Sequence, residues 1–384
     1  MDRVRLGIAG LGNMGATHAH SVLAGKINRL ELTAICDTDP AKAERFPQVK
    51  GFSSADAMIG AGLIDAILIA TPHYSHTTIG IMALQAGLHV LIEKPISVHK
   101  ADCERLIAAH QDRRQIFAAM FNQRTDPCYR RIRDLVREGE LGEIRRINWI
   151  ITDWFRTGAY YASGGWRATW AGEGGGVLLN QCPHNLDLVQ WMFGMPKRVR
   201  AFCHFGRYHD IEVEDDVTAY LEFANGTTGV FITSTGEAPG TNRLEITAEG
   251  GRVVYEDNKI HHWRNTMPMS AFSRTAVQAF ARPESVDALI PAADHGGQHN
   301  EVLQNFADAI LAGQPLIAPA SEGIHSVELG NAMLLSTWLD QTIELPLDAS
   351  RFERLLRRHI RESKFKKKVA TPVTGEDFAK SFGR

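Results

Sequence analysis

The stretch Val4-Arg5-Leu6-Gly7-Ile8-Ala9-Gly10-Leu11-Gly12-Asn13-Met14-Gly15 decides the fold of this chain. Residues 4–9 read as a strand, the glycines as a tight turn, and residues 14–26 as a helix that begins at that turn. A second strand over 30–36 ends at Asp37, 22 residues after Gly15. Each part has a chemical reason. Gly10 permits the turn, Gly12 lets the backbone approach a pyrophosphate, and Gly15 lets the helix pack on the strand. The helix N-terminus, with Asn13 and Met14 in its first turn, offers free N–H groups and partial positive charge to phosphates. Asp37 can accept hydrogen bonds from a ribose 2′-hydroxyl and repels a 2′-phosphate. That favours NAD, although Thr38 and Lys42 could still accommodate the phosphate of NADP.

Working outward, the same alternation continues. Asp39-Pro40-Ala41 looks like a helix start with proline at the first position. Residues 64–70 make a buried strand, then Thr71-Pro72 and a helix over 74–87. His89–Ile92 is the next strand, followed by a helix over 97–110 and a strand over 116–121. Strands alternating with helices of this length indicate a parallel, doubly wound α/β sheet. Around residue 122 the texture changes. A helix over 128–139 leads to long β-rich runs at 143–154, 196–207, 213–223, 227–235, 242–248 and 251–255. Helices are fewer there: 178–193, 299–313 and 321–339. The expectation is a nucleotide-binding domain over 1–122, an α+β domain with a large, mostly antiparallel open sheet over 123–345, and a C-terminal helix and basic tail over 346–384. An open sheet has a face to bury, and a homodimer or homotetramer is the common solution.

Composition narrows the class. The chain has 384 residues, 44% hydrophobic and 22% charged, as expected for a globular protein with two cores. A net charge of −2 favours neither nucleic acid nor membrane. Met1-Asp2-Arg3 leads directly into a strand, which leaves no room for a signal peptide. The five cysteines are scattered, with no C-x-x-C, and suit a reducing cytoplasm. Residues 351–368 depart from the average, with nine Lys/Arg against two Glu, a local charge of +7. A solvated helix and tail is the plain reading; contact with a polyanion or a partner subunit is the alternative.

Ligands of open α/β sheets sit beyond the carboxyl ends of the strands. Thr71-Pro72-His73, with His76 one turn on, and Glu93-Lys94-Pro95 both fall there. Lys94 at the end of a buried strand can donate to an oxygen on which charge develops. Pro95 fixes the backbone after it and admits a cis peptide. A surface salt bridge of Glu93 is the structural alternative. The second constellation is Gly174-Gly175-Gly176-Val177-Leu178-Leu179-Asn180-Gln181-Cys182-Pro183-His184-Asn185-Leu186-Asp187. Asn180 and His184 share a face if this stretch is helical, although Pro183 argues that the regular helix starts near it. Asp187 could orient the imidazole, and a near-neutral histidine can take a hydroxyl proton. Between 149 and 170 lie seven aromatics in 22 residues, interleaved with Asp153, Arg156 and Arg167. Flat apolar surfaces beside hydrogen-bonding groups suit a sugar or cyclitol ring, with Trp154 and Tyr160 candidate contacts; some of the seven must pack in the core. The remaining histidines form no convincing metal set, and His209-Asp210-Ile211-Glu212-Val213-Glu214 reads as an exposed strand or loop.

Together the glycine fingerprint, Thr71-Pro72, Glu93-Lys94-Pro95, Trp166-Arg167 and the Gly174–Asp187 segment resemble the glucose–fructose oxidoreductase / inositol dehydrogenase / MocA (Gfo/Idh/MocA) family, to about residue 345. The resemblance implies a Rossmann domain plus an α+β domain whose open sheet makes subunit contacts. It also implies NAD(P)-dependent oxidation or reduction of sugars, cyclitols and related polyols. The lysine and histidine that assist proton transfer in the family match Lys94 and His184. The family's preceding aspartate falls at Asn180, which can position a hydroxyl but cannot relay a proton. Asn122 and Arg124, after the last strand of the first sheet, are candidate substrate contacts. Trp166 and Arg167 orient substrate or nicotinamide. Two other readings stay open: a redox-neutral lyase or glycoside-cleaving enzyme that recycles bound NAD through a 3-keto sugar, and a non-catalytic NAD or sugar sensor.

Overall fold

The computed structural model describes residues 2–291 and 294–369. Six strands, β1 (Val4–Ala9), β2 (Leu30–Cys36), β3 (Lys50–Phe52), β4 (Ala66–Ile69), β5 (His89–Ile92) and β6 (Phe117–Ala119), form a parallel sheet in the order β3-β2-β1-β4-β5-β6. The order reverses between β1 and β4, and a crevice opens at such a switch point. The glycine turn that feeds it is sterically specified. Gly10 has φ +91°, and a side chain there would meet the Ala70 carbonyl oxygen at 2.6 Å. A Cβ on Gly15 would lie 1.8 Å from the Gly10 carbonyl oxygen. The helix Asn13–Leu23 therefore closes onto β1 with Gly15, Ala16, Ala19 and Val22 buried beneath it. The short β3, with the helix Ala55–Gly60 capped by Ser54, was not expected from the sequence, because three residues carry no readable period.

Nine strands form the second sheet: β7 (Ile144–Ile151), β8 (Arg198–Phe205), β9 (Glu214–Glu222), β10 (Thr228–Ser234), β11 (Asn242–Ala248), β12 (Gly251–Glu256), β13 (Lys259–Asn265), β14 (Ser285–Ile290) and β15 (Ile343–Glu344). Their order is β14-β13-β12-β11-β7-β10-β9-β8-β15. β10 runs parallel to β7, and every other neighbouring pair in this sheet is antiparallel. One face is covered by the helices Pro183–Phe193 and Gly323–Leu339, whose Leu186, Ala332 and Met333 pack with Val199, Ala201 and Val217. Exposed Phe202 and Tyr220 lie on β8 and β9, where buried and exposed positions alternate. β13 and β14, with the helix Met269–Thr275 between them, extend the sheet beyond the strands expected from the sequence; β14 is too exposed to show an apolar run.

Two later segments return to the first half. The helix Gln298–Ala312 packs Val302, Leu303 and Phe306 against the core of Leu6, Leu91 and Met120. The helix Ala349–Glu362 buries Phe352, which stacks on Trp338 at 5.2 Å, and points its arginines outward in pairs with Glu353 and Glu362. Beyond it the basic run is not simply solvated: Lys367 Nζ donates to the carbonyls of Tyr161 and Arg167. Residues 370–384 of the expected tail lie outside the described residues.

The glycine turn gives a direct test. Gly15→Ala should lower stability by about 1–3 kcal/mol through overpacking and weaken NAD binding; thermal melts with and without NAD would show both losses.

Candidate active site

The crevice fits a dinucleotide on its own geometry. A side chain at Gly12 would meet no atom within 4 Å, so the backbone there is open to an incoming group. The helix Asn13–Leu23 has no side-chain cap and no acidic residue in its first turn, which leaves its N-terminal N–H groups and positive end for phosphate. Asp37 at the end of β2 accepts from the Leu11 N–H at 2.7 Å and from the Asp39 N–H at 2.9 Å, with Lys42 Nζ at 3.2 Å. The Thr71 hydroxyl, at the end of β4, is buried with no protein partner. His73 lies edge-on to Trp166, ring centres 5.5 Å apart.

Two residues expected to touch the cofactor have partners within the protein. His76 lies between the loops after β4 and β5, with Nδ1 2.8 Å from the Pro95 carbonyl and Nε2 2.8 Å from the Thr71 carbonyl; the neutral ring donates to one of the two, according to its tautomer. Glu93 is buried and 2.7 Å from His18 Nε2, on the phosphate-facing helix. Burial pushes the Glu93 carboxyl up, but the His18 hydrogen bond and the charges of His18, His299 and Lys94 outweigh it and hold it at about 2. It is an internal strut and not the surface salt bridge that was its alternative reading.

Lys94 follows β5 and reaches across the crevice. Its Nζ donates to the Asn180 carbonyl at 2.8 Å, and the Lys94–Pro95 peptide is cis. Burial lowers the ammonium pKa, Glu93 and Glu173 oppose this, and Arg156 and Arg167 add to it. His184 sits in the first turn of Pro183–Phe193, buried, with Nδ1 unpartnered and Phe121 edge-on at 6.1 Å. Burial, then the charges of Lys94 and His299, hold its pKa well below the usual histidine value. The imidazole is therefore neutral and able to accept a proton.

The helix begins at Pro183, so Asn180 precedes it and does not share a helical face with His184. Asn180 stands in the turn before, its N–H on the Gly176 carbonyl. Asp187 does not orient His184 either. It takes a bidentate pair from Arg124, at 2.7 and 2.6 Å, both side chains almost fully buried. Arg124 also holds Glu322 at 2.6 Å. Expected as a substrate contact, Arg124 is placed with its guanidinium on these two acids and links the chain after β6 to the His184 helix. Asn122 is buried with Nδ2 on Gln298 at 2.6 Å.

Tyr160 is the hub of the facing wall. Its hydroxyl accepts from Arg167 Nη1 at 2.7 Å and from Gln181 Nε2 at 3.0 Å, and donates to Asn180 Oδ1 at 3.3 Å. The Arg156 and Arg167 guanidiniums lie 5.1 and 4.5 Å from its ring centre. Arg156 also lies 5.4 Å from the Trp154 ring centre, and Asp153 precedes Trp154 in the loop after β7. Of the seven aromatics, Trp149, Tyr161 and Trp170 are core, while Trp154, Phe155, Tyr160 and Trp166 keep exposed surface.

The residues that hold this wall were missed. Glu214 lies on β9 under the glycine segment and accepts from the N–H of Gly176 and Leu178 at 2.8 and 3.0 Å. Glu212 caps the Trp170 N–H at 2.9 Å. His209 bridges Asp215 at 2.9 Å and the Arg156 carbonyl at 2.8 Å. The segment 209–214 is thus a bracket and not an exposed loop. Only the spacing of acids with β alternation hinted at it. Among the described residues, no group of three His, Cys, Asp or Glu could hold a metal ion.

A doubly wound sheet with this crevice, a buried lysine and a neutral histidine defines an NAD-binding oxidoreductase. Residues 4–121 match the oxidoreductase family with an NAD-binding Rossmann fold, and residues 129–254 match the GFO/IDH/MocA C-terminal domain. The chain belongs to the Gfo/Idh/MocA family. It is 25% identical to inositol 2-dehydrogenase from Rhizobium meliloti (strain 1021) over 340 residues, 87% of this chain and 96% of that protein. The WlbA dehydrogenase from Bordetella pertussis, solved with NADH and UDP-GlcNAcA, superposes with a TM-score of 0.77 at 25% identity, covering 90% of this chain and 100% of that one. Levoglucosan dehydrogenase, solved with NADH and L-sorbose, is alike in fold, with a TM-score of 0.74 at 20% identity, covering 90% and 99%.

Burial pushes the Glu214 carboxyl up to about 7. The folded state then holds a proton that the unfolded state releases near pH 4.5, so stability falls as pH rises from about 4.5 through 7. Glu214→Gln keeps the acceptor for both N–H groups and removes that loss. The variant should gain roughly 1–3 kcal/mol on the wild type at pH 8 and little at pH 4.5; denaturant melts at the two pH values check it.

Proposed function

We propose that this chain catalyses reversible hydride transfer between NAD and a ring hydroxyl or ketone of a sugar, cyclitol or sugar derivative. One observation carries the reading. Lys94, at the end of a buried strand of the first sheet, reaches the Asn180 carbonyl, four residues before the neutral, buried His184. An acid and a base are thereby brought to one crevice beside the nucleotide turn. The likeness to inositol 2-dehydrogenase and to the WlbA dehydrogenase supports the substrate class.

When bound, NAD supplies the hydride acceptor or donor. The chain's own residues do the rest. In oxidation His184 takes the hydroxyl proton as neutral imidazole, while the Lys94 ammonium donates to the same oxygen and stabilises the charge that develops there. In reduction the roles reverse: Lys94 polarises the carbonyl and protonated His184 returns the proton. Tyr160, Asn180 and Gln181 offer hydroxyl and amide groups to the ring hydroxyls, and Trp154 and Trp166 offer flat faces. Exposed Phe202 and Tyr220 on the second sheet support assembly as a homodimer or homotetramer. Five free, buried cysteines support a reducing cytoplasm as its location.

The test is a panel of polyols and glycosides assayed for NADH formation, with NADP in parallel. On the substrate found, Lys94→Ala should lower kcat by roughly 100-fold or more and leave the Kd for NAD within a few-fold. Full turnover by that variant contradicts the assignment. Because the low pKa of His184 keeps it unprotonated, the oxidative rate should persist well below pH 6.5.

A further inference from the structure

We propose that Glu173 is a positioning residue of this site: through Asn180 it fixes the peptide that holds Lys94, and it supplies the buried negative charge that faces the Lys94 ammonium. The inference rests on the hydride-transfer reading for its role in turnover, while its geometry stands apart from that reading.

Glu173 is almost fully buried, a costly place for a carboxylate with no structural task. Its chain path is tightly set on both sides. A side chain on Gly172 would lie 2.2 Å from the Trp166 carbonyl oxygen, and Gly174, with φ +84°, would put a Cβ 2.1 Å from Val98 Cγ1. The backbone on either side of Glu173 is thereby packed against the Trp166 loop and against Val98. Both of its oxygens accept. Oε2 takes the Ala168 N–H at 2.5 Å, Oε1 takes Asn180 Nδ2, and Arg167 Nη1 is 3.9 Å from Oε1. Burial raises the Glu173 carboxyl pKa, and the Arg167 charge, the Ala168 N–H, the Asn180 amide and the Lys367 charge act against that rise; donors on both oxygens favour the anion, since a protonated acid would need an acceptor of its own.

Asn180 is the link. Its amide nitrogen must face Glu173, so its amide oxygen faces outward, to Tyr160 and Gln181 at 3.3 and 3.2 Å. Its backbone carbonyl meanwhile holds Lys94 Nζ. One residue thus joins the buried acid, the ammonium and the polar wall. Glu93, the other acid against Lys94, already lies 2.7 Å from His18. The groups that face Lys94 are Glu93 and Glu173 as anions, Arg156 and Arg167 as cations, and His73, His76, His184 and His299 as neutral or low-pKa imidazoles. Removing Glu173 leaves the cations in excess. The Glu173 carbonyl also lies 3.3 Å from His73 Nδ1, so the same residue ties the wall to the helix after β4.

The experiment exchanges the acid and the amide. Lys94 is titrated in the full chain with NAD bound, by pH-dependent acetylation of its ε-amine read by peptide mass spectrometry, and kcat/KM is followed against pH on any polyol substrate. Glu173→Gln should lower the Lys94 titration midpoint by about one pH unit or more, the usual effect of losing a nearby opposite charge. The alkaline limb of kcat/KM should move with it. Glu173→Gln with Asn180→Asp, which keeps the hydrogen-bonded acid–amide pair in the opposite sense, should return the midpoint toward the wild-type value. An unchanged midpoint in folded Glu173→Gln overturns the proposal. Should that variant not fold, Asn180→Leu, which cuts the link from Glu173 to the peptide that holds Lys94, is titrated in its place, and an unchanged midpoint there overturns the proposal equally. A wild type that labels as expected but oxidises no polyol counts against the proposed function and leaves Glu173 standing.

Discussion

The bond from Lys94 Nζ to the Asn180 carbonyl is the contact on which the site depends. It joins the carboxyl end of β5, in the parallel sheet, to the glycine-rich turn that precedes the His184 helix. Without it the two halves would each present an incomplete set of groups: a nucleotide turn with a lysine on one side, a histidine and an aromatic wall on the other. A buried ammonium is costly unless it is met by oxygen and by charge. The surroundings of Lys94 can be read as the answer to that cost: a carbonyl at bonding distance, Glu93 beside it, and Glu173 behind Asn180.

The rest of the architecture keeps that contact in register. His76 is packed between the loops after β4 and β5, within 2.8 Å of a carbonyl of each, and the buried pair of Glu93 and His18 binds the lysine loop to the phosphate-facing helix. On the other side the Arg124–Asp187 pair locks the His184 helix to the segment after β6. Glu214 holds the glycine turn from below. Each is a polar group placed where water does not reach, and each has its partner. Such networks give a site one geometry where an apolar core would tolerate several.

Much of the crevice was legible in the sequence because its signals are local. A glycine turn between strand and helix, an acid at the end of the next strand, and a lysine closing an apolar run can each be read within a few residues. What failed was long-range. Arg124 and Asp187 are 63 residues apart, and nothing in either segment announces the other. Glu214 looked like part of an exposed strand or loop; only the packing of β9 under the glycine turn reveals it as buried. Helical spacing also misled. Asn180 and His184 are four apart, but Pro183 starts the helix between them, so the period did not apply.

The central claim is that a ring carbon of a polyol gives its hydride to NAD in this crevice. Incubating the protein with NAD and carbon-deuterated sugars and cyclitols, and measuring deuterium in the reduced cofactor by mass spectrometry, tests it directly. The expected result is a deuterium at nicotinamide C4 from at least one substrate, appearing roughly 100-fold or more slowly when Lys94 is replaced by alanine. Bound NAD that takes no label from any polyol would contradict it.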